Sequence, residues 1–448
     1  MLILLGFIVL MGCLVVGVRK GGLGLAAVSG IGLIIFIFGM GLKPGNPPVD
    51  VMLTIMAVVT CSGFLQASKG LDVMLKYAEM FLRSNPKYIT ILAPITTWFL
   101  TVLCGTGHVV YAMFPVIYDI AIKQNIRPER PMASASVASQ MGVCASPASV
   151  AVVSAVAILA ATSHPFGVMQ ILSISIPASL CGAFVAGLWS LNRGKDLEKD
   201  PEFLAMIADP EKKAFVYGEI EGQNLANKTL PASAYRAAGI FLLGIVAIAI
   251  FGSFPQLLPH FPDAKGVLKP LSMTPTIQLL MLAIATLIML FCNVKASDVA
   301  SGSVFKSGMV AIVSVYGVAW MADTYFSAYL PIMKKTLSEV VLAYPWMYAV
   351  VLFLVSKLIN SQAAAVTVIV PMALSVGVDP LLIVGFMPAC YGYFVLPTYP
   401  SDLACIGFDR SGTTRIGKYI INHSFIMPGL IGVATGCFVG YILVHLVY

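Results

Sequence analysis

The chain has 448 residues, of which 59% are hydrophobic and only 10% are charged. No soluble globular domain of this length needs so much apolar surface, so the composition excludes that class. The net charge of +7 comes from Lys and Arg scattered between apolar runs, which excludes a nucleic-acid-binding signature. Because many runs approach the ~20 residues that cross a bilayer, we predict an all-α polytopic membrane protein.

The first half of the chain is predicted to hold five spans and one interrupted segment. The positive-inside rule orients them once Arg19 and Lys20 are placed in the cytoplasm. A basic amphipathic helix is expected at the cytoplasmic face after the third span. In chain order, the predicted elements are spans 2–18, 22–42 and 51–67, the amphipathic helix 69–85, the interrupted segment 88–122, the broken span 132–162 and the span 168–190.

The interrupted segment 88–122 has basic residues at both ends and limbs of about 14 to 17 residues, short for full crossings. Its break is the uncharged stretch Gly105-Thr106-Gly107-His108. We favour a re-entrant hairpin that returns to the cytoplasmic face. Two short spans also fit the charge pattern.

The second half repeats this layout with opposite predicted orientation. A cytoplasmic linker, 192–235, precedes span 236–252; a second hairpin, 346–377, is interrupted at Asn360-Ser361-Gln362, and a broken span covers 381–408. The copies lie roughly 250 to 260 positions apart, as in duplicated transporters. We predict about ten spans plus two hairpins in two inverted repeats, 1–191 and 236–448, with both termini periplasmic.

The residues at the two hairpin tips form one set of candidate binding residues. Glycines let a ligand approach the backbone closely, and neutral side chains supply donors and acceptors. Helices that resume after each tip, at His108 and Ala363, would point positive N-termini at mid-membrane, which suits an anion. The candidate tip residues are Gly105, Thr106, Gly107, His108, Asn360, Ser361 and Gln362.

A second pair of breaks lies at Pro147 and Pro400. Proline frees the carbonyl four residues earlier, which can then coordinate a cation or a substrate hydroxyl. The candidate residues beside these prolines are Ser146, Thr398, Tyr399, Ser401 and Asp402.

Ionisable groups inside a bilayer are expensive and mark functional sites. Lys357 is a candidate partner of a substrate carboxylate, with a structural ion pair to Asp402 or Asp323 as the alternative. Asp402 is a candidate for a coupling proton or Na⁺.

Two arginines, Arg83 and Arg127, flank the first hairpin and are candidates for steering anions. The alternative is that they only set the topology. Asp119 and Asp323 lie near segment ends and are expected to be structural.

Enzyme and metal signatures are missing from the sequence. It has no HExxH, GxSxG, P-loop or dinucleotide-binding motif, and none of its nine cysteines forms a CxxC pair. We expect neither catalysis nor a cofactor apart from a coupling ion, and no metal site.

Several stretches of the chain carry long and specific motifs. These are KPGNPPVDVML (43–53), GLDVMLKYAEMFLRSNPKYITILAP (70–94), CGTGHVVYAMFPVIYDIAIKQNIRPERPM (104–132), SKLINSQAAA (356–365) and YGYFVLPTYPSDLACIGFDRSGTTRIGKYIINHSFIMPGLIG (391–432). The stretches resemble the anaerobic C4-dicarboxylate carrier (Dcu) family, and GTGHVVY and RPERPM look most like its B-type members.

This resemblance implies a bacterial inner-membrane exchanger that takes up fumarate, malate or aspartate and releases succinate. It implies two inverted repeats, as in the wider ion-transporter superfamily, whose members often work as elevators. Sensor kinases are reported partners of the family, and a homodimer is expected by analogy. The alternatives are a Na⁺- or H⁺-coupled symporter and a non-transporting co-sensor.

Overall fold

The computed structural model describes residues 2–20, 22–47, 49–160, 162, 166–218, 228–262, 266–396, 399–417 and 422–448. These residues are mainly helical. The helices of the first half are α1 (Leu2–Arg19), α2 (Gly22–Ile34, continued by a π turn to Gly39), α3 (Val49–Ala67), α4 (Gly70–Ser84), α5 (Ile89–Cys104), α6 (Val110–Lys123), α7 (Glu129–Met141), α8 (Val150–Leu159) and α9 (Val168–Ser190).

The linker and the second half continue the helical pattern, with one antiparallel hairpin, β1 (His260–Pro262) and β2 (Leu268–Pro270), in a loop. The remaining helices are α10 (Pro201–Ile207), α11 (Pro210–Tyr217), α12 (Ala232–Ser253), α13 (Met273–Cys292), α14 (Ala296–Ser301), α15 (Ser303–Ala343), α16 (Met347–Ile359), α17 (Gln362–Ser375), α18 (Pro380–Gly385), α19 (Pro400–Phe408) and α20 (Ile426–Val447).

Several described helices are long and apolar enough to cross a bilayer. A further candidate is the pair Met52–Ala67 and Gly70–Ser84, which bends by 70°. The multi-pass helical membrane protein is thereby confirmed, whereas ten full spans stay a prediction. The five long apolar helices are Pro86–Cys104, Glu129–Leu159, Val168–Ser190, Thr274–Cys292 and Ile426–Val447.

Both interrupted segments form helix pairs joined by short tips, α5 with α6 and α16 with α17. The predicted span 168–190 matches α9 residue for residue. Span 381–408 is more broken than predicted, since 3₁₀ turns at Met387–Cys390 and Tyr393–Val395 separate α18 from α19. Close packing explains one break: a Cβ on Gly392 would lie 2.1 Å from the Phe353 carbonyl oxygen.

The described helices sort into two packed groups. The outer group is α1, α2, α3, α12, α13 and α15, and the hairpin group is α5 to α9 with α16 to α20. Each half of the chain therefore contributes to both groups. The groups touch mainly where α15 packs on α17 and α3 packs on α8.

Small residues let the longest contact of the hairpin group, α9 against α20, form at close range. A Cβ on Gly182 would lie 2.3 Å from the Gly432 carbonyl oxygen, and one on Gly436 would lie 3.4 Å from that of Ala178. Such backbone approach is the usual basis of helix association in lipid. One helix from each half of the chain is thereby packed against the other.

The linker between the halves is folded where it is described. Asp200 and Asp209 cap α10 and α11, each followed by proline at the first helical position. Arg127 Nη1 pairs with Asp200 Oδ2 at 2.5 Å, and Arg415 Nη1 pairs with Glu202 Oε2 at 2.6 Å. The linker therefore joins the loop after the first hairpin to the loop after α19.

The buried pair of Arg127 and Asp200 should make stability depend on pH. Burial alone would raise the pKa of the Asp200 carboxyl, but the hydrogen bond and charge of Arg127 hold it below its usual value. A lowered folded pKa gives stability that is present above about pH 4 and is lost as pH falls through the folded pKa. Asp200→Asn should lower the free energy of unfolding by about 1–3 kcal/mol at pH 7.

This difference should shrink below about pH 4 in denaturation of the detergent-solubilised protein. Glu202→Gln is the control, because its pair with Arg415 is exposed and should contribute under about 1 kcal/mol. A difference between wild type and Asp200→Asn that does not change with pH would rule out this linkage.

Candidate functional site

The two hairpin tips have the same backbone conformation. Gly105 (φ 76°) and Asn360 (φ 54°) end the first limbs in the left-handed region. The next residues, Thr106 and Ser361, are extended, with φ of −142° and −153°. Each tip therefore reverses helix direction with one left-handed and one extended residue, although the two sequences share no residue here.

Thr106 and Ser361 cap the helical segments that follow. The Thr106 hydroxyl accepts from the His108 amide at 3.3 Å, and the Ser361 hydroxyl accepts from the Ala364 amide at 3.3 Å. The segments begin at Gly107 and Gln362, one residue earlier than predicted. Since the first amides of a helix have no intrahelical acceptor, both tips present N–H groups and a positive dipole end.

Gly105 is required at the first tip for two reasons. Its φ of 76° is strained for a side chain, and a Cβ there would lie 2.4 Å from the Ala148 carbonyl oxygen. Ala148 belongs to the break at Pro147, which is called the first break below. Ser146 of the same break donates its hydroxyl to the Val102 carbonyl at 2.7 Å. The first break and the first tip are thus in direct contact.

Replacing Gly105 should destabilise the tip strongly. Gly105→Ala forces a left-handed alanine (~1–2 kcal/mol) and a backbone clash, so we expect a cost of several kcal/mol and loss of folded protein. Size-exclusion chromatography and the thermal midpoint measure it. The control is Gly12→Ala in α1, whose Cβ would meet nothing within 4 Å. Equal behaviour of the two variants would contradict the observed tip conformation.

Lys357 lies one turn before the second tip. Its Nζ donates to Asn360 Oδ1, to the Tyr393 carbonyl and to the Leu396 carbonyl, each at 3.1 Å. The ammonium group therefore joins the second tip to the chain just before the break at Pro400, the second break. The place where the two tips and the two breaks meet is called the junction, and Lys357 brings a positive charge to it.

The second break also reaches the first tip. The ring of Tyr399 stacks over His108 with centroids 6.3 Å apart, and its centroid lies 4.2 Å from that of Tyr393, with the two rings tilted by 35°. His108 Nδ1 lies 3.3 Å from the Tyr111 hydroxyl. Thr398, also predicted here, lies outside the described residues.

Asp402 is buried beside α7. The Ser136 hydroxyl donates to its Oδ1 at 3.0 Å, while Oδ2 has no hydrogen-bond partner among the described residues. The hydroxyl of Ser401 is likewise buried without a partner there. A carboxylate with a free oxygen inside a membrane protein is costly and is able to take a proton or a cation.

Gln140, at the end of α7, connects the two tips. Its main-chain oxygen accepts from Gln362 Nε2 at 2.6 Å, and its Oε1 accepts from the Tyr393 hydroxyl at 2.6 Å. The same amide also lies against the first tip, since a Cβ on Gly107 would be 2.5 Å from Gln140 Nε2 and 2.6 Å from its Oε1. Ser139 adds a hydrogen bond to the Gly107 carbonyl at 2.6 Å.

Sequence reasoning did not identify Ser136, Ser139, Gln140 or Tyr393. A signal was present, because residues 132–141, MASASVASQM, place three serines and a glutamine in a helix that is buried throughout. Polar residues in an apolar span are either packed against other helices or functional. The tyrosine gives no comparable signal, since aromatic residues are common in membrane spans.

The predicted steering arginines do not join this junction. Arg83 pairs with Glu79 and Asp119, both at 2.9 Å. Arg127 pairs with Glu129 at 2.9 Å and with Asp200. Steering of anions by these two arginines stays a prediction, as does the alternative that they only set the topology.

Asp323 also lies away from the tips. Its carboxylate accepts from the Asn46 amide at 2.7 Å. Among the described residues, no cluster of three or more His, Cys, Asp or Glu side chains could hold a metal ion.

The tip and break residues differ in exposure. Gly107 is buried, and Gln362 and Asp402 are 4% and 1% exposed, whereas Thr106, Asn360 and Ser361 are partly exposed. Two surface cavities, of about 450 Å³ and 640 Å³, are lined by residues near Arg130 and Arg193 and include no tip residue.

Comparison with known proteins identifies the family. A family profile described as an anaerobic C4-dicarboxylate membrane transporter matches residues 2–448. The anaerobic C4-dicarboxylate transporter DcuB of Escherichia coli O6:H1 is 53% identical over 445 residues, 99% of this chain and 98% of that protein.

The C4-dicarboxylate transporter DcuA of Escherichia coli strain K12 is 38% identical over 429 residues, 95% of each chain. DcuA of Wolinella succinogenes is 36% identical over 439 residues, 97% of this chain and 98% of that protein. The higher identity to DcuB confirms the B-type resemblance. The chain therefore belongs to the family of anaerobic C4-dicarboxylate membrane transporters.

Proposed function

We propose that this protein exchanges C4-dicarboxylates across the bacterial inner membrane, with fumarate, malate or aspartate entering and succinate leaving. The observation that carries the proposal is the meeting of two geometrically matched tips at Gln140. The names of the relatives supply the substrate class.

Charge supports a dianionic substrate at this junction. Each helix N-terminus carries ~0.5 positive charge, and Lys357 adds one, so the sum of about +2 balances two carboxylates. Thr106, Asn360 and Ser361 add neutral polar groups at the tips. Arginine is not needed, which agrees with the ion pairs of Arg83 and Arg127 elsewhere.

Alternating access by an elevator-like movement agrees with the packing. The tips and breaks belong to the hairpin group, while the outer group contains no tip residue. The matched tip conformations support two inverted repeats. Movement of the hairpin group against the outer group would open the buried junction to one side at a time.

Ion-coupled symport is the second candidate, and Asp402 is the observation that favours it. Its Oδ2 has no partner among the described residues. When Asp402 is ionised, the net positive charge at the junction falls from about +2 to about +1. Binding of a dianion would then favour uptake of a proton or Na⁺ by Asp402.

Uptake of labelled fumarate into proteoliposomes separates these functions. Exchange requires uptake into vesicles preloaded with succinate and little uptake into empty ones. Equal uptake in both, dependent on a proton or Na⁺ gradient, would favour symport. No uptake by folded protein in either case would contradict transport and favour the co-sensor, for which the basic helix α4 would be the docking surface.

A further inference from the structure

Gln140 is placed to bind the substrate as well as to join the tips. The residue is 2% exposed, and its Nε2 has no hydrogen-bond partner among the described residues. A buried, unpaired amide donor costs roughly 1–3 kcal/mol in other proteins. Such a group is usually matched by a partner in a functional state of the protein.

The orientation of the Gln140 amide follows from its neighbours. Gln362 Nε2 lies 3.2 Å from the Tyr393 hydroxyl oxygen. Because an amide nitrogen only donates hydrogen bonds, the Tyr393 oxygen is the acceptor in this pair. The Tyr393 proton then needs an acceptor, which is Gln140 Oε1 at 2.6 Å. This fixes Oε1 as the acceptor of Tyr393 and leaves Nε2 as the unpaired donor of an amide group that lies against Gly107.

The unpaired donor lies at the tip that would hold an anion. The whole Gln140 amide lies against Gly107: a Cβ built there would be 2.5 Å from Nε2 and 2.6 Å from both Cδ and Oε1. Gly107 opens the helical segment whose N-terminus carries positive partial charge. A carboxylate oxygen placed there would meet both backbone N–H groups and the amide of Gln140.

We propose that Gln140 Nε2 donates a hydrogen bond to one carboxylate of the substrate and that Tyr393 holds this amide in place. Gln140 is then a specificity-determining residue that selects a carboxylate over a neutral group at the first tip. The inference rests on the proposed function, since it deepens the description of the same site. Tyr393 is a positioning residue, because it acts through the Gln140 amide.

The test compares succinate with succinamate, its monoamide, as competitors of labelled fumarate uptake in proteoliposomes. Gln140→Glu keeps the shape of the side chain but replaces the donor with an acceptor. It should raise the inhibition constant of succinate roughly ten- to a hundredfold, since hydrogen bonds to charged groups are strong. The inhibition constant of succinamate should rise much less, because the amide of succinamate can donate to the new carboxyl group.

The ratio of the two inhibition constants separates binding from a structural role. A structural defect lowers the amount of active protein and leaves the ratio unchanged. Gln278→Glu is the matched control, since Gln278 is an intramembrane glutamine of α13 that donates to Thr54 at 2.8 Å. The control should keep the wild-type ratio.

Tyr393→Phe provides an independent variant that retains Gln140. Loss of the hydroxyl frees the amide to rotate, so the ratio should move a few-fold in the same direction. Wild-type ratios in both Gln140→Glu and Tyr393→Phe would overturn the inference while wild-type uptake leaves the proposed function intact. Absence of dicarboxylate uptake by the wild type would instead overturn the proposed function.

Discussion

Gln362→Leu should lower fumarate uptake at least about a hundredfold. The Gln362 amide donates to the Gln140 carbonyl and the Tyr393 hydroxyl and accepts from Cys390 Sγ at 3.1 Å. Leucine has a similar volume and makes none of these bonds. The substitution removes three buried hydrogen bonds, each worth roughly 0.5–1.5 kcal/mol, and 1.4 kcal/mol corresponds to a tenfold effect.

The matched control is Gln278→Leu, which makes the same chemical change in α13, outside the junction. Uptake is measured per folded protein in proteoliposomes, with folding checked by size-exclusion chromatography. We expect near wild-type uptake for the control. If both variants transported equally well, the second tip would not be part of the transport site.

Removal of the Glu129 carboxylate should give the largest loss of stability. Glu129 is 6% exposed and accepts from Arg127 at 2.9 Å, from Arg193 at 2.8 Å and from Ser424 at 2.7 Å. Glu129→Gln leaves two guanidinium groups without this counter-charge. Breaking a buried ion pair typically costs about 3–5 kcal/mol.

Because Ser424 belongs to the second half, Glu129→Gln should also loosen the contact between the halves. The measurement is the free energy of unfolding in detergent or, if the variant does not accumulate, the folded fraction after purification. Glu211→Gln, on the exposed surface of α11, should change stability by under about 0.5 kcal/mol. Similar stability of both variants would contradict a structural role for the Glu129 cluster.

The sequence predicts the tips well because their physical signals are local. Gly105, Asn360 and the residues after them interrupt apolar runs, and only residues that tolerate a left-handed backbone or cap a helix fit such interruptions. The span 168–190 was equally clear, because it is uninterrupted and flanked by polar residues. The short linker helices were missed, although Asp200-Pro201 and Asp209-Pro210 are typical helix starts.

Long-range contacts could not be predicted in the same way. Gln140 reaches Gln362 across 222 positions, and Ser136 reaches Asp402 across 266. No local pattern specifies such pairs, since they arise when α7 packs against α6 and α19 and its last turn reaches the second tip. For the same reason the sequence could not predict the ion-pair partners of Arg83 and Arg127, such as Glu79 and Asp200.

The most direct test of a shared binding site is equilibrium binding of labelled fumarate to the purified protein, to Thr106→Val and to Ser361→Ala. One variant alters each tip, and Thr286→Val is the control, because Thr286 is exposed in α13 and bonds only within its helix. We predict one fumarate per chain and a Kd raised roughly tenfold or more by each tip variant, with the control unchanged. A Kd that responds to only one tip would contradict a single dicarboxylate bound between them.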